Sequence, residues 1–376
     1  MKLLMTADAV GGVWTYALDL ADALAPYGVE ILVAVMGPRP SAGQSRESRR
    51  LPAVEVVHGA YDLEWMERPW SDIDRAGAWL LQLAEEFEPD VVHLNGFTHA
   101  ALAWHAPCVI VAHSCVLTWW RAVHCEAAPS EWAEYRKRLA AGLRAADHLV
   151  APTKALLSQL LTEHARLPPS SVIYNGRSAA GFPDASAERG PFILGAGRVW
   201  DRAKNFSTLD HAAAGLSWPI YIAGDATSFG RQRTLSHAHA LGKLEAAELR
   251  RWLRRASIFA SPAVYEPFGL GILEAALSRC ALVLSDIGTL RELWSGAAVF
   301  VEPHDPEAWH VALRELIADP TRNAALADAA RKRALEFSAE RMAAEYVHLY
   351  RRLGGFPQSL LSAYPNVHPP CIGERA

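Results

Sequence analysis

Along most of this chain, short apolar runs rich in β-branched residues alternate with longer stretches of helical periodicity, and no other feature constrains the fold as strongly. The segments "KLLMTA", "VEILVAVM", "VEVVHG", "DVVHLN" and "CVIVAHS" read as strands, separated by helix patterns such as "WTYALDLADALAPYG". Strand, helix, strand in succession implies βαβ crossovers and a parallel sheet. After the Gly-, Pro-, Ser- and Ala-rich stretch "SVIYNGRSAAGFPDASAERG" the series restarts with "PFILGAGR", "PIYIAGD", "SIFASP", "ALVLSD" and "AAVFVEP". The expected architecture is α/β, with two doubly wound, Rossmann-like domains joined near residues 176–190 and facing each other across a cleft.

The expected boundaries are 1–176 for the first domain and 177–337 for the second, followed by a helix over 338–353 that crosses back to the first. That helix opens with Ser338, carries Glu340 and Glu345 early and arginines late, as helix ends prefer. The tail, 354–376, lacks periodicity and is expected to be disordered.

With 376 residues, 51% of them apolar, there is material for two cores. A net charge of −4 makes no electrostatic case for nucleic acid. The five cysteines are odd in number and show no C-x-x-C spacing, so they read as reduced thiols. The N-terminal apolar run is too short for a signal peptide, and nothing approaches a membrane-spanning length. A soluble, cytoplasmic protein is expected, with peripheral contact at the inner membrane face left open.

Chemistry concentrates at strand ends. In "VYEPFGLGILEA", a loop with Phe268, Gly269, Leu270 and Gly271 enters a helix, offering free backbone N–H groups and a positive helix end to an anion. Glu266 and Glu274 flank it, each able to accept from a pair of neighbouring hydroxyls, as sugars present them. Arg198 ends the strand "FILGAGR" and Lys204 follows in its loop, so two cations could neutralise a leaving diphosphate without a metal ion. Near these strand ends no Asp-x-Asp or His-rich ligand cluster competes for that role. Near the N-terminus, Gly11 and Gly12 sit between the first strand and first helix, where backbone can approach a phosphate or a sugar. This is not a G-x-G-x-x-G pattern. His113 closes "CVIVAHS" and is expected to face the cleft; His93, His99 and His105 are its rivals.

In this order along most of the chain, these residues resemble the retaining glycosyltransferases of the GT-B fold, the glycogen synthase and mannosyltransferase-like superfamily with its E-x(7)-E motif. The resemblance implies that Glu266 holds hydroxyls of the transferred sugar and Glu274 the nucleotide ribose. It implies that Arg198, Lys204 and the amides of Gly269 and Leu270 stabilise the diphosphate, with Gly12 opposite, and that His113 touches the donor sugar. "ALGKLEAAEL" resembles the slot for the base, around Gly242 and Lys243. The implied reaction is metal-independent transfer from a nucleotide diphosphate sugar to a hydroxyl of a glycan, a lipid-linked acceptor or a small molecule, with no cofactor. An epimerase or hydrolase of the same fold, or a non-catalytic nucleotide-sugar binding protein, are the alternatives. Two positions depart from the family pattern: Asn205 replaces the glycine that usually follows the phosphate lysine, and "SRCALVLSD" lacks the usual Gly-x-Pro. On the acceptor side, Trp119, Trp120 and Trp132 lie near Arg121, Arg136, Lys137 and Arg138, a composition that suits a sugar-stacking wall, a membrane-surface helix or a solvated helix with buried aromatics.

Overall fold

The computed structural model describes residues 1–164, 166–182, 189–228, 231–232 and 234–354. Most of the expected tail and part of the expected linker lie outside the described residues. Seven strands form a parallel sheet: β1 (Lys2–Asp8), β2 (Glu30–Met36), β3 (Val54–Gly59), β4 (Val91–Leu94), β5 (Cys108–Val111), β6 (His148–Ala151) and β7 (Ser170–Val172). Their order is β3-β2-β1-β4-β5-β6-β7. The second parallel sheet runs β12 (His239–Gly242), β9 (Ile220–Ala223), β8 (Gly190–Ala196), β13 (Ala256–Ser261), β14 (Ala281–Ser285), β15 (Val299–Val301). A separate antiparallel ribbon pairs β10 (Thr227–Ser228) with β11 (Arg231–Gln232).

Helices cover both sheet faces, so central strands are buried throughout and their sequences are apolar without alternation. Leu3, Leu4 and Met5 in β1, and Ala281 to Leu284 in β14, are fully buried. Strand order reverses between β1 and β4 in the first sheet and between β8 and β13 in the second. At such reversals the flanking helices diverge and leave a crevice at the carboxyl ends of the strands. Five strands lie outside the runs read from the sequence: β6, β7 and β12 are three or four residues long and make no sustained apolar run, and β10 and β11 are two residues each.

The helix Ala339–Arg352 packs on the first domain, where Met342, Tyr346, Val347 and Tyr350 join Tyr16 and Leu20 in one core. Ser338 caps it by accepting from the Arg341 amide at 3.1 Å. Tyr16 donates to the Tyr346 hydroxyl at 2.6 Å, and the Tyr350 hydroxyl lies 2.6 Å from His93 Nδ1. The outgoing and returning chains run side by side: the Arg177 amide donates to the Phe337 carbonyl at 3.1 Å, and the Ala339 amide to the Arg177 carbonyl at 3.3 Å. Among the described residues, no helix is long and apolar enough to cross a membrane.

Candidate functional site

The loop after β13 and the helix Leu270–Leu277 that follows form the floor of the crevice. Gly269 caps this helix at φ 87°, a conformation that suits glycine, and a Cβ there would lie 2.8 Å from Ile272 Cδ1. Thr289 donates to the Glu266 carbonyl at 2.7 Å and fixes the loop. Tyr265 reaches into the first domain, where its hydroxyl accepts from the Cys115 amide at 3.0 Å and lies 2.8 Å from Thr118 Oγ1. Thr153 Oγ1 donates to the Pro267 carbonyl at 3.1 Å. Glu292 accepts from the Lys154 and Ala155 amides, both at 2.8 Å, so a carboxylate of the second domain caps the N-terminus of the helix Lys154–Glu163 in the first.

Lys204 Nζ donates to Glu266 Oε2 at 2.5 Å, which brings two of the predicted site residues together. Glu274 is held differently. Arg177 Nη2 lies 3.0 Å from Glu274 Oε1, and Arg177 Nη1 donates to Asp19 Oδ2 at 2.5 Å. Arg177 thus ties the linker to a helix of each domain. Burial opposes its charge, but Glu274 and Asp19 outweigh burial and raise the guanidinium further. Burial pushes the Asp19 carboxyl up to about 6 despite Arg177 beside it. Sequence reasoning did not single out Arg177. The signal was the arginine in "VIYNGR", a lone cation at the joint between the domains.

Arg198 lies across the crevice from the N-terminal glycines: a Cβ on Gly11 would sit 3.3 Å from Arg198 Nη1, and one on Gly12 3.4 Å from Leu270 Cδ1. Any larger side chain at Gly11 would press on the arginine. Arg198 Nη2 donates to Asp201 Oδ2 at 2.7 Å, and its guanidinium lies over the Trp200 ring. Asp201 also caps the turn bearing Lys204 through the Ala203 amide, at 3.0 Å, and accepts from Trp119 Nε1 of the first domain at 3.3 Å. Burial raises the Asp201 carboxyl, but Arg198 and Lys204 more than reverse this and hold it below its usual range. Trp119 is therefore an interdomain contact, and Trp120 stacks on His124. Arg136 donates to the Ala128 carbonyl, while Lys137 and Arg138 pair with Glu134.

His113 lies two residues beyond β5. Its Nε2 is 2.8 Å from Asn95 Oδ1, and Asn95 Nδ2 donates to the Thr6 carbonyl at 2.6 Å, which fixes the amide so that His113 is the donor. Burial and the neighbouring His93 pull His113 down to about 3, so the ring is neutral. His93 is fully buried, His99 binds the Ile73 carbonyl, and His105 is exposed. Gly242 and Lys243 are exposed at the end of edge strand β12, with the Gly242 carbonyl accepting from the Gly224 amide at 2.8 Å.

Both departures from the family pattern have a conformational reading. Asn205 adopts φ 52°, which asparagine tolerates, and its Nδ2 donates to the carbonyls of Pro262 at 3.0 Å and Pro303 at 2.7 Å. Arg279, in "SRC", stands at φ 60°, a strained setting for a long side chain, and pairs with Asp328. Among the described residues, no group of three or more His, Cys, Asp or Glu side chains is placed to hold a metal ion.

Residues 10–180 match the model for Glycosyltransferase Family 4 and residues 190–319 the model for Glycosyl transferases group 1. A glycogen synthase of Mycobacterium tuberculosis is 28% identical over 89% of this chain and 90% of its own length. A D-inositol 3-phosphate glycosyltransferase of Xylanimonas cellulosilytica is 27% identical over 92% of both chains. In three dimensions the chain resembles Anabaena HepE, solved in complex with UDP and glucose, with a TM-score of 0.74 and 18% identity over 94% of this chain and 100% of that one. Two family models that together span both domains, glycosyltransferase relatives matched over nine-tenths of their length and the shared two-sheet architecture converge: this chain belongs to the GT-B glycosyltransferase superfamily and is a glycosyltransferase.

Proposed function

We propose that the protein is a metal-independent, retaining glycosyltransferase that moves a sugar from a nucleoside diphosphate to an acceptor hydroxyl. The observation that carries this reading is the Lys204–Glu266 pair, with Arg198 nearby, at the head of a helix that faces Gly11 and Gly12. A diphosphate entering here meets Lys204, Arg198 and the amides of Gly269 and Leu270. Its arrival draws Lys204 away from Glu266 and frees that carboxylate for sugar hydroxyls. As the glycosidic bond breaks, negative charge gathers on the leaving diphosphate, where fixed cations and a helix N-terminus lower the barrier without a metal. Glu274, one helical turn into the same helix, takes the ribose hydroxyls. Neutral His113 donates to Asn95 and keeps Nδ1 as an acceptor toward the donor sugar. Gly242 and Lys243 border the base. Retention follows the E-x(7)-E resemblance.

The first donor to test is UDP-glucose, because the resembling HepE was solved with UDP and glucose. The assay follows nucleotide release with and without added sugar acceptors, in strong chelator, with the product anomer read by NMR. Turnover in chelator with a retained anomer is expected. Loss of turnover that manganese or magnesium restores overturns metal independence. An altered or freed sugar from donor alone redirects the assignment to an epimerase or hydrolase.

A further inference from the structure

Beside His113, between the carboxyl ends of β1 and β4, the first domain encloses a recess of about 80 Å³. Asp8, Asp62 and Glu64 line it together with Trp65, Asn95 and Ser114, and none of its lining residues is lysine or arginine. The Glu64 carboxylate accepts from the amides of Phe97 at 3.2 Å and Thr98 at 3.0 Å, which fixes its position. Asp8 Oδ1 accepts from the Val10 amide at 2.8 Å, but burial raises its carboxyl above the usual range, and Asp62 stands exposed at the rim. Two nearby cations are already engaged. Arg198, on the cleft side, is held by Asp201 at 2.7 Å and is committed to the donor diphosphate in the proposed reaction, and Arg138, behind His99, is held by Glu134 at 2.7 Å and Asp74 at 2.5 Å. The two histidines of the lining add no charge at neutral pH, because burial holds both His99 and His113 below the usual imidazole range.

Building on the proposed transfer reaction, we infer that this recess admits the acceptor as a neutral, hydroxyl-bearing ring and discriminates against one that carries a phosphate there. Carboxylates accept pairs of ring hydroxyls, and the Trp65 indole offers an apolar face to the C–H side of a sugar. A phosphate in the same place would lose its hydration facing Asp62 and Glu64, with no cation among the lining residues to compensate. The distinction separates two relatives of this chain: one is named for glycogen, a neutral glucan, the other for a phosphorylated inositol.

The test compares matched pairs: maltose with maltose 1-phosphate, and myo-inositol with its 3-phosphate. Each is titrated calorimetrically into the wild-type protein, with and without saturating UDP, at low and at high salt. At least one neutral member is expected to bind tenfold or more tightly than its phosphorylated partner, with the gap widest at low salt, where repulsion between anions is least screened. In the Asp62→Lys variant the gap should shrink at least threefold. Equal or tighter binding of the phosphorylated members overturns the inference, as does failure of both neutral sugars to bind. UDP affinity, measured separately, tests the donor reading, and the titrations without UDP keep the two failures distinguishable.

Discussion

Replacing Asp19 by Asn should change how stability varies with pH, by an amount the structure sets. Asp19 lies on the helix Gly12–Leu24, its side chain 17% exposed and bonded to Arg177. Burial raises its carboxyl from 3.8 to about 6 in the folded protein. A carboxyl with a raised folded pKa binds its proton more readily in the native state than in the unfolded one. Stability therefore falls as pH rises from about 4 to 6 and stays at the lower value above that window. At 1.36 kcal/mol per pH unit, the rise from 3.8 to about 6 amounts to about 3 kcal/mol. Asparagine keeps an oxygen for Arg177 and has no charge to desolvate, so the variant should gain about 3 kcal/mol on the wild type between pH 4 and pH 7. Urea unfolding of both proteins, followed by tryptophan fluorescence at half-unit pH intervals, measures that difference. Curves that run parallel across this range would refute the reasoning.

Lys204→Ala should lower turnover by about a hundredfold, as removal of one preorganised charge-stabilising donor does, while leaving the circular dichroism spectrum unchanged; unchanged turnover would remove Lys204 from the diphosphate site. Glu274→Gln should weaken nucleoside diphosphate binding by about 1.5–3 kcal/mol, whereas Glu266→Gln should leave that affinity nearly intact and reduce turnover. The reverse order in calorimetry would exchange their roles. Arg279→Gly should raise unfolding free energy by about 1 kcal/mol, since relief of the left-handed backbone outweighs the loss of an exposed ion pair; a destabilised variant would show that the pair with Asp328 matters more.

The two-sheet architecture was legible because central parallel strands are buried on both faces and announce themselves as uninterrupted runs, such as Leu3 to Met5 and Ala281 to Leu284. Two of the four edge strands carry no such mark: β7 contributes Ser170 and Ser171, and β12 is largely exposed, whereas edge strands β3 and β15 keep apolar runs. Glu266, Lys204 and Arg198 stood out because each lies within a few residues of a strand end, and strand ends were visible. The tie of Arg177 to Asp19 and Glu274 joins residues 158 and 97 positions apart, and only the packing of three segments reveals it. Asp62 and Glu64 were invisible for a related reason. They sit in an irregular loop after β3, with no periodicity to single them out, and gain meaning only beside Asn95 and His113.

The return of the last helix to the first domain has a consequence for synthesis. Tyr346 and Tyr350 fill the space beside Tyr16 and His93, so the core of the first domain lacks wall residues until the whole second domain has been translated. Between the end of β7 and the end of that helix lie 180 residues, from 172 to 352, which at roughly 5–20 residues per second takes on the order of 10–35 s. Throughout that interval the nascent domain presents an open apolar slot shaped for its own C-terminal helix. The domain begun first is the one completed last.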